Sequence, residues 1–300
     1  MARPHLAPAL AFAALAVAVP AHAAGPWETA IATALGKPGT EMAGGVYRVG
    51  FPRSDLKVVV DGVTLKPSLA LGSWVAFMRM GSGNDVMVMG DLVLTDAEVN
   101  PVMARLVEGG IEITALHNHL LSSTPHTMYM HVGGHGDGAK LAATLRAALA
   151  LSRTPFPAPT AGAPPAAPAA LDLDTAAIDR TLGHAGKENG GVYAISVTRA
   201  DGPHRAGMVI PDAMGAAIAI NFQPTGSGRA AIAGDLVLTA AEVNPVLRAL
   251  RANGIEIEAL HNHMLDDQPR LFFMHFWAND DALKLARGLR AALDKMNVKR

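Results

Sequence analysis

The feature that most constrains the fold of this 300-residue chain is an internal repeat. When residues 90–149 are aligned with residues 234–293 at a constant offset, no gap is needed and about 35 of the 60 positions are identical. Shared composition does not produce such similarity, so the two segments are copies of one unit. Residues 44–47 and 190–193 both read Gly-Gly-Val-Tyr and extend the match upstream. Each unit is therefore about 125 residues long, a normal domain size.

Residues 1–23 have the pattern of an export signal. Arg3 lies in a short basic start, residues 6–19 are apolar, and Ala21-His22-Ala23 forms a small-x-small cleavage site. The apolar run is too short to span a bilayer, and no later stretch is long enough without charges or glycines. The chain has no cysteine, which excludes disulfides, thiolate ligands and lipid attachment through an N-terminal cysteine. We expect a periplasmic or secreted protein without a membrane span.

Composition divides the mature chain into two domains. Residues 152–170 are almost entirely Pro, Ala, Gly and Thr, which is typical of an extended, semi-rigid linker. Repeat 1 then covers residues 24–151 and repeat 2 covers residues 171–300. The high identity of the copies favours a pseudo-symmetric pair that packs together. The net charge of −1, without a basic stretch alternating with aromatic residues, argues against a nucleic-acid partner.

The pattern of repeat 1 predicts an α+β fold, a mainly antiparallel sheet covered by two or three helices. Four short apolar runs between residues 46 and 89 predict strands. Thr95 to Glu98 has the spacing of a capping box, Asn100-Pro101 offers a further cap with Pro in the first turn, and Gly109-Gly110 ends the helix. Strands follow over residues 111–120 and 127–132, and the leucine spacing over residues 140–149 predicts a helix packed on the sheet.

The strongest chemical signal is a His-Asn-His tripeptide present in both copies. In the first copy, residues 111, 113, 115, 117 and 119 are predicted to share the apolar face of a strand, which places both histidines of the tripeptide on that face. Their Cα atoms are then about 6.5 Å apart, so both imidazoles can reach one ion. A third histidine, twelve residues later, joins them only if its partner across the ladder is odd-numbered. The predicted metal ligands are His117, His119 and His131 in repeat 1 and His261, His263 and His275 in repeat 2.

Four carboxylates recur in both copies beside these histidines. Glu98, Glu242, Asp91 and Asp235 can each serve as a fourth ligand, a partner of a ligand or a general base. Glu98 and Glu242 are the candidates for a catalytic role, although a capping box alone also explains them. The histidines have an equally plain alternative, because a polar core network satisfied by backbone carbonyls would be preserved by duplication as readily as a metal site.

Three neutral nitrogen ligands with an open fourth position are typical of catalytic zinc or of copper. Zinc is the first choice. Strand methionines such as Met87 and Met128 would suit copper, but alternating methionine more often fills a core. The loops differ between the copies: repeat 1 has His126 and His135 where repeat 2 has Arg270 and Asn279. Extra ligands in one copy, an anion-binding arginine in the other, and simple loop drift all remain open.

The segments Glu-Val-Asn-Pro-Val, Ala-Leu-His-Asn-His-Met, Pro-Arg-Leu-Phe-Phe-Met-His-Phe and Leu-Arg-Ala-Ala-Leu resemble the LppY/LpqO lipoprotein family over nearly the whole mature chain. That family has no assigned biochemical activity, so the resemblance implies export and a two-repeat build but no reaction. The chain differs from the lipoproteins because it lacks cysteine, and we expect it to be free rather than lipid-anchored.

Two functions are consistent with these patterns. The first is an exported protein that binds a transition metal through one site per repeat and supports hydrolysis through metal-bound water. The second is a non-catalytic envelope module with structural histidines and a peptide, glycan or small molecule between the repeats. A third possibility is that only repeat 1 keeps an active site.

Overall fold

A computed structural model describes residues 25–156, 170–205 and 207–300. The predicted export signal and most of the predicted linker lie outside these residues. Residues 152–156 of that linker are described, and they pack on repeat 1: Phe156 lies against Phe51 with ring centroids 5.1 Å apart. Within the described ranges, no helix is long and apolar enough to cross a membrane.

Each repeat alternates short helices with long strands. The elements of repeat 1 are α1 (Pro26–Leu35), β1 (Thr40–Met42), β2 (Val46–Pro52), β3 (Val59–Val60), β4 (Val63–Thr64), α2 (Pro67–Ala70), β5 (Gly72–Arg79), β6 (Asp85–Thr95), α3 (Asp96–Glu108), β7 (Glu112–Asn118), β8 (Thr127–Asp137) and α4 (Gly138–Leu149). Those of repeat 2 are α5 (Thr175–Leu182), β9 (Gly186–Asn189), β10 (Val192–Val197), β11 (His204–Arg205), β12 (Met208–Val209), a 3₁₀ helix (Asp212–Met214), β13 (Ile218–Gly226), β14 (Arg229–Thr239), α6 (Ala240–Ala252), β15 (Glu256–His261), β16 (Leu271–Asp281) and α7 (Ala282–Leu293).

Six strands of each repeat form one antiparallel sheet, and the two sheets have the same order. The order is β1-β2-β5-β6-β8-β7 in repeat 1 and β9-β10-β13-β14-β16-β15 in repeat 2. Helices α3 and α4 pack on the first sheet, and α6 and α7 pack on the second. The fold is therefore α+β, a duplicated antiparallel sheet with helices on one face, as the sequence predicts.

The helix after the long central strand begins where its capping signal places it. In α3, the Thr95 side chain accepts from the backbone of Glu98, and the Glu98 carboxylate accepts from the backbone of Thr95. Thr239 and Glu242 repeat this capping box at the start of α6. The alternative start at Asn100 is wrong, because Pro101 lies inside the helix.

The predicted faces of the histidine strand need a correction. The ladder between β7 and β8 shifts register between Ile113 and Ala115, so one residue is extra at that point. A β-bulge of this kind reverses which face the later side chains occupy. Ile113 packs in the helix-side core of repeat 1, whereas His117 lies on the opposite face, toward repeat 2. The expectation that residues 111, 113, 115, 117 and 119 share one apolar face is therefore wrong, although His117 and His119 do share theirs.

Each repeat sends one segment across to the other. Crossing segment 1, residues 53–71, carries α2 onto β13 and β14. The Gln223 side chain accepts from the Lys66 amide (2.7 Å) and donates to the Thr64 carbonyl (2.9 Å). Crossing segment 2, residues 199–205 and 207–217, carries the 3₁₀ helix onto β2 and β5. The repeats are thus held together by reciprocal exchange, and the expectation that they pack together is confirmed.

A buried arginine fixes the start of each crossing segment. The Arg53 guanidinium is fully buried and pairs with Asp55 and Glu98, each at 2.8 Å, and it also donates to the Val93 carbonyl. Arg199 makes the matching contacts with Asp201, Glu242 and the Val237 carbonyl. Each guanidinium thereby ties a crossing segment to the start of a helix.

Candidate metal centre

The histidines of both repeats meet between the two sheets. In repeat 1, Asp91 lies opposite His131 in the ladder of β6 and β8, and His131 lies opposite Ala115 in the ladder of β8 and β7. Because residues opposite each other point to the same face, His131 projects beside His117. The partner of His131 across the ladder is thus the odd-numbered Ala115, as a face shared with His117 requires. Repeat 2 has the same arrangement, with Asp235 opposite His275.

The six imidazoles form three face-to-face pairs, and each pair joins the two repeats. The ring centroids are 3.4 Å apart for His117 and His261, 3.7 Å for His119 and His275, and 3.7 Å for His131 and His263. Within repeat 1, His117 lies 5.1 Å from His119 and 5.0 Å from His131, centroid to centroid. The two sites that the sequence predicts separately are one cluster of two stacked layers, each made of three histidines.

The Nε2 atoms of this cluster are buried and unpartnered. None of the six has a hydrogen-bond partner among the described residues. The Nδ1 atoms of His117, His261 and His275 instead lie 2.8–3.0 Å from the carbonyl oxygens of Asn118, Asn262 and Gly234. An Nδ1–H that donates to a carbonyl leaves the Nε2 lone pair free, which is the tautomer that metal-binding histidines use.

Burial keeps these imidazoles neutral. It lowers the pKa of His117 to about 4 and, together with the charge of His117, that of His261 to about 3. The pKa values of the four remaining histidines fall well below the usual 6.5 for the same reason. Neutral imidazole is the form that binds metal, so these side chains could bind an ion at pH 7 without losing a proton.

Two aspartates complete the cluster. Asp91 Oδ2 is 3.8 Å from His119 Nε2, and its Oδ1 is 3.9 Å from His131 Nε2. Asp235 Oδ2 is 3.3 Å from His263 Nε2. Separations of this size are typical of two ligands that bind one ion, since bonds of about 2.1 Å place tetrahedral ligands roughly 3.4 Å apart.

These two carboxyl groups also lack partners. The Oδ1 atom of each is buried and accepts no hydrogen bond from the described residues. Burial raises the pKa of Asp91 to about 8. Burial and the nearby Asp91 charge raise that of Asp235 well above its usual range. Both groups sit where an added cation would restore their charged form.

Exchanged hydrogen bonds hold the histidine strands against each other. Asn118 Nδ2 donates to the Glu258 carbonyl, and Asn262 Nδ2 donates to the Thr114 carbonyl, both at 3.0 Å. These contacts are related by the repeat, because residues 118 and 114 correspond to residues 262 and 258. The asparagine between the two histidines thus fixes the edge of β7 against the edge of β15.

Other predicted residues lie outside the cluster. Hydrogen bonds from the Arg153 and Thr95 amides and the Arg53 guanidinium outweigh the effect of burial on Glu98 and lower its pKa; Glu242 is held in the same way. These two catalytic candidates are structural in their contacts. His126 is exposed and pairs with Asp96. Arg270 donates to the carbonyls of Met264 and Leu265, and exposed His135 joins neither histidine group.

A cavity of about 1050 Å³ opens onto the cluster between the repeats. His119, Asp91 and Asp235 are among its lining residues, and Arg48 and Trp74 form part of the wall on the repeat 1 side. The sequence reasoning missed this pair, and also the anchoring arginines. The Arg-x-Asp motif that recurs at Arg53 and Arg199 was a usable signal, whereas Arg48 and Trp74 are not repeated and gave none.

The fold and the cluster define a duplicated α+β protein with a histidine-rich centre shared by its two halves. The chain belongs to a family described as Domain of Unknown Function (DUF1259), whose model matches residues 29–151 and 176–295. The two matched segments coincide with the two repeats. No match was found among curated proteins.

Two solved structures are similar over 85% of this chain and 90% of their own chains. One is a trimeric bacterial microcompartment shell protein, PduB, with 13% identity and a TM-score of 0.22. The other is EtuB from Clostridium kluyveri, with 10% identity and a TM-score of 0.20. TM-scores of this size do not establish a common fold.

Proposed function

We propose that this is an exported transition-metal protein whose six histidines and two aspartates bind metal at the floor of the cavity between the repeats. The observation that carries the proposal is the convergence of six buried Nε2 atoms, none with a hydrogen-bond partner among the described residues. An unpaired buried polar group costs about 1–3 kcal/mol. Eight such atoms, counting one oxygen from each aspartate, would cost on the order of 10 kcal/mol, as much as a typical domain's whole stability. Metal ligation relieves that cost.

The stacked layers favour two ions rather than one. His117, His119 and His131 can offer ligand atoms within 4.8 Å of one another, and so can His117 together with the three histidines of repeat 2. Each layer has its own aspartate. The layers are 3.4–3.7 Å apart, close to the separation of about 3.5–4 Å between ions in two-metal sites. We infer a two-ion centre that needs both repeats, which argues against an active site confined to repeat 1.

Zinc suits this set of donors best. Neutral imidazoles with one carboxylate per ion are typical zinc ligands, whereas copper often adds a thioether sulfur. Met87 lies in an apolar core and Met128 packs against one, rather than among the histidines, so the methionine argument for copper loses its support. Zinc bound with an open position activates water for hydrolysis, and the adjoining cavity provides space for a substrate.

Three further parts of the proposal come from the sequence. The pattern of residues 1–23 supports export to the periplasm or beyond. Segments such as Glu-Val-Asn-Pro-Val and Ala-Leu-His-Asn-His-Met support membership of the LppY/LpqO lipoprotein family. The domain limits at residues 151 and 171 are supported by the composition of the linker. The second candidate function, a non-catalytic binding module, is favoured by the size of the cavity and does not require metal.

Elemental analysis by plasma mass spectrometry on untagged protein purified from the periplasm tests the metal centre. We expect about two zinc ions per chain. The double variants His117→Ala/His119→Ala and His261→Ala/His263→Ala should each lose at least the ion of the altered layer, because two of its three histidines are gone. His135→Ala, which alters an exposed histidine outside the cluster, is the matched control and should keep them.

Three results would contradict the proposed metal centre or change its description. Wild-type protein that stays metal-free after reloading with zinc or copper would exclude the metal centre and leave the binding module. Loss of one ion only in each double variant would mean two independent sites. If the double variants destabilise the protein equally with and without zinc, the histidines are structural.

A further inference from the structure

The walls of the cavity differ between the repeats. In repeat 1, Arg48 lies opposite Ala76 and Trp74 lies opposite Asp91 in the ladders of the sheet. In repeat 2, Ala219 lies opposite Asp235 and therefore matches Trp74. The pairing of β10 with β13 then matches Ala194 to Arg48. A large cationic and aromatic pair in repeat 1 thus corresponds to two alanines in repeat 2. The cluster of histidines is symmetric, but the space above it is not.

The guanidinium of Arg48 has unused hydrogen-bonding capacity. It stacks on the Trp74 ring, with the guanidinium carbon 3.9 Å from the ring centroid, and its Nη1 donates to the Ala213 carbonyl at 2.7 Å. An arginine side chain carries five N–H donors. In the described part of the chain Arg48 makes only this one hydrogen bond and forms no salt bridge. Stacking fixes the plane of the guanidinium while several of its donors remain free.

Other buried arginines pair with carboxylates within the protein. Arg53 and Arg199 each pair with two carboxylates, and Arg205 pairs with Glu112 and Asp266. Arg48 differs from them in having a cavity beside it instead of a carboxylate. Burial lowers its pKa to about 10, against the opposing effect of the Asp91 charge. A partly desolvated guanidinium of this kind gains from an anion that enters the cavity.

We propose that Arg48, held flat by Trp74, binds the acid group of an organic anion whose other end reaches the histidine cluster. The Arg48 guanidinium stacks on Trp74, and Trp74 lies opposite Asp91 in the ladder of β5 and β6. A ligand whose acid group pairs with Arg48 can therefore extend across this wall toward the cluster. Leu69 and Phe276 also line the cavity, which fits a carboxylate or phosphate ester with an apolar body.

Gly50 provides the room for such a body. It lies opposite Trp74 in the ladder of β2 and β5 and lines the cavity. A Cβ atom placed there would have no atom within 4 Å. A larger side chain at this position would fill the ligand space without disturbing the histidines, which makes Gly50→Leu a blocking variant.

Only the reach of the ligand to the histidines rests on the proposed metal function; binding of its acid group does not. Isothermal titration calorimetry tests the subsite. Zinc-loaded and chelated protein are each titrated with 4-phenylbutyrate, its neutral amide 4-phenylbutyramide, and phenyl phosphate. We expect at least one of the two acids to bind about tenfold or more tightly than the amide in both forms, equivalent to about 1.4 kcal/mol. A preference for the carboxylate or for the phosphate identifies which acid the subsite accepts.

The variants locate the acid group. Arg48→Gln should remove the preference for acid over amide, and Arg48→Lys should retain part of it. Gly50→Leu should weaken the binding of all three probes. Arg79→Gln, at an exposed arginine whose guanidinium donates to the Ser82 carbonyl, is the matched control and should behave as wild type. Zinc content should stay unchanged in every variant.

Three results would overturn the subsite: no binding of either acid, equal binding of acid and amide, or an acid preference that survives Arg48→Gln. A protein that takes up no zinc but still prefers the acid would instead exclude the metal centre and keep the subsite. The two proposals therefore fail separately.

Discussion

The Arg53–Glu98 network and the Asp91–histidine cluster both involve the central strand β6, and both are repeated in the second copy. In the first, the guanidinium and the carboxylate are fully engaged by each other and by backbone groups. In the second, the six Nε2 atoms and the Oδ1 atom of each aspartate have no hydrogen-bond partners among the described residues. Duplication has kept both sets equally well. Retention therefore does not separate structure from chemistry, whereas hydrogen-bond satisfaction does.

Arg53→Ala should give the largest loss of stability, because it leaves the Glu98 carboxylate buried without its cation. Breaking one partner of a buried ion pair costs about 3–5 kcal/mol. The loss, measured by urea unfolding, should be the same in zinc and in a chelator. A loss below about 1 kcal/mol would mean that the network contributes little and would weaken the contrast with the cluster.

Removing metal should have the next largest effect, confined to the cluster. At free zinc 100 times the dissociation constant, binding adds about 2.7 kcal/mol of stability, which a chelator removes. In Asp91→Asn/Asp235→Asn this difference should shrink, while the apo protein becomes no less stable because two buried carboxyl groups are gone. Thermal melts with and without zinc measure both quantities. An apo form that is clearly weaker than wild type would assign the aspartates a structural role instead.

The smallest effect concerns acid pH. The pKa values of Glu98 and Glu242 are lower in the folded protein than the usual 4.5. Their contribution to stability is therefore present above pH 4.5 and is lost as the pH falls through the folded pKa. Glu98→Gln should flatten this part of the pH profile, as should Glu242→Gln. Urea midpoints between pH 6 and pH 3 test this, and an unchanged slope in both variants would contradict it.

Local signals in the sequence predicted much of the fold. The capping box at Thr95 and the glycines at 109 and 110 placed α3 within a residue, since these signals act through neighbouring backbone groups. The bulge after Ile113 was not predicted, because a single extra residue depends on pairing with β8 and leaves no mark in the alternation of β7.

The candidate site was likewise predictable only where local patterns determine it. Strand periodicity placed His117 and His119 on one face, whereas the position of His131 depended on a ladder register that the sequence left open. The junction of two triads was not predictable, because it depends on how the repeats pack. That packing is set by crossing segments whose contacts, such as that of Gln223 with the Lys66 amide, join residues far apart in the chain. Local patterns carry no information about such pairs.

Covalent fusion of the two copies has a consequence for how this centre can evolve. A single-copy ancestor that dimerised about the same axis would have carried two identical cavity walls, with Arg48 and Trp74 on both sides or on neither. Once the copies share one chain, each wall mutates independently while the six histidines stay paired. Arg48 and Trp74 in one copy, against Ala194 and Ala219 in the other, are a difference of this kind. Fusion gives a symmetric centre a ligand space with two different ends, and so a preferred direction for whatever enters it.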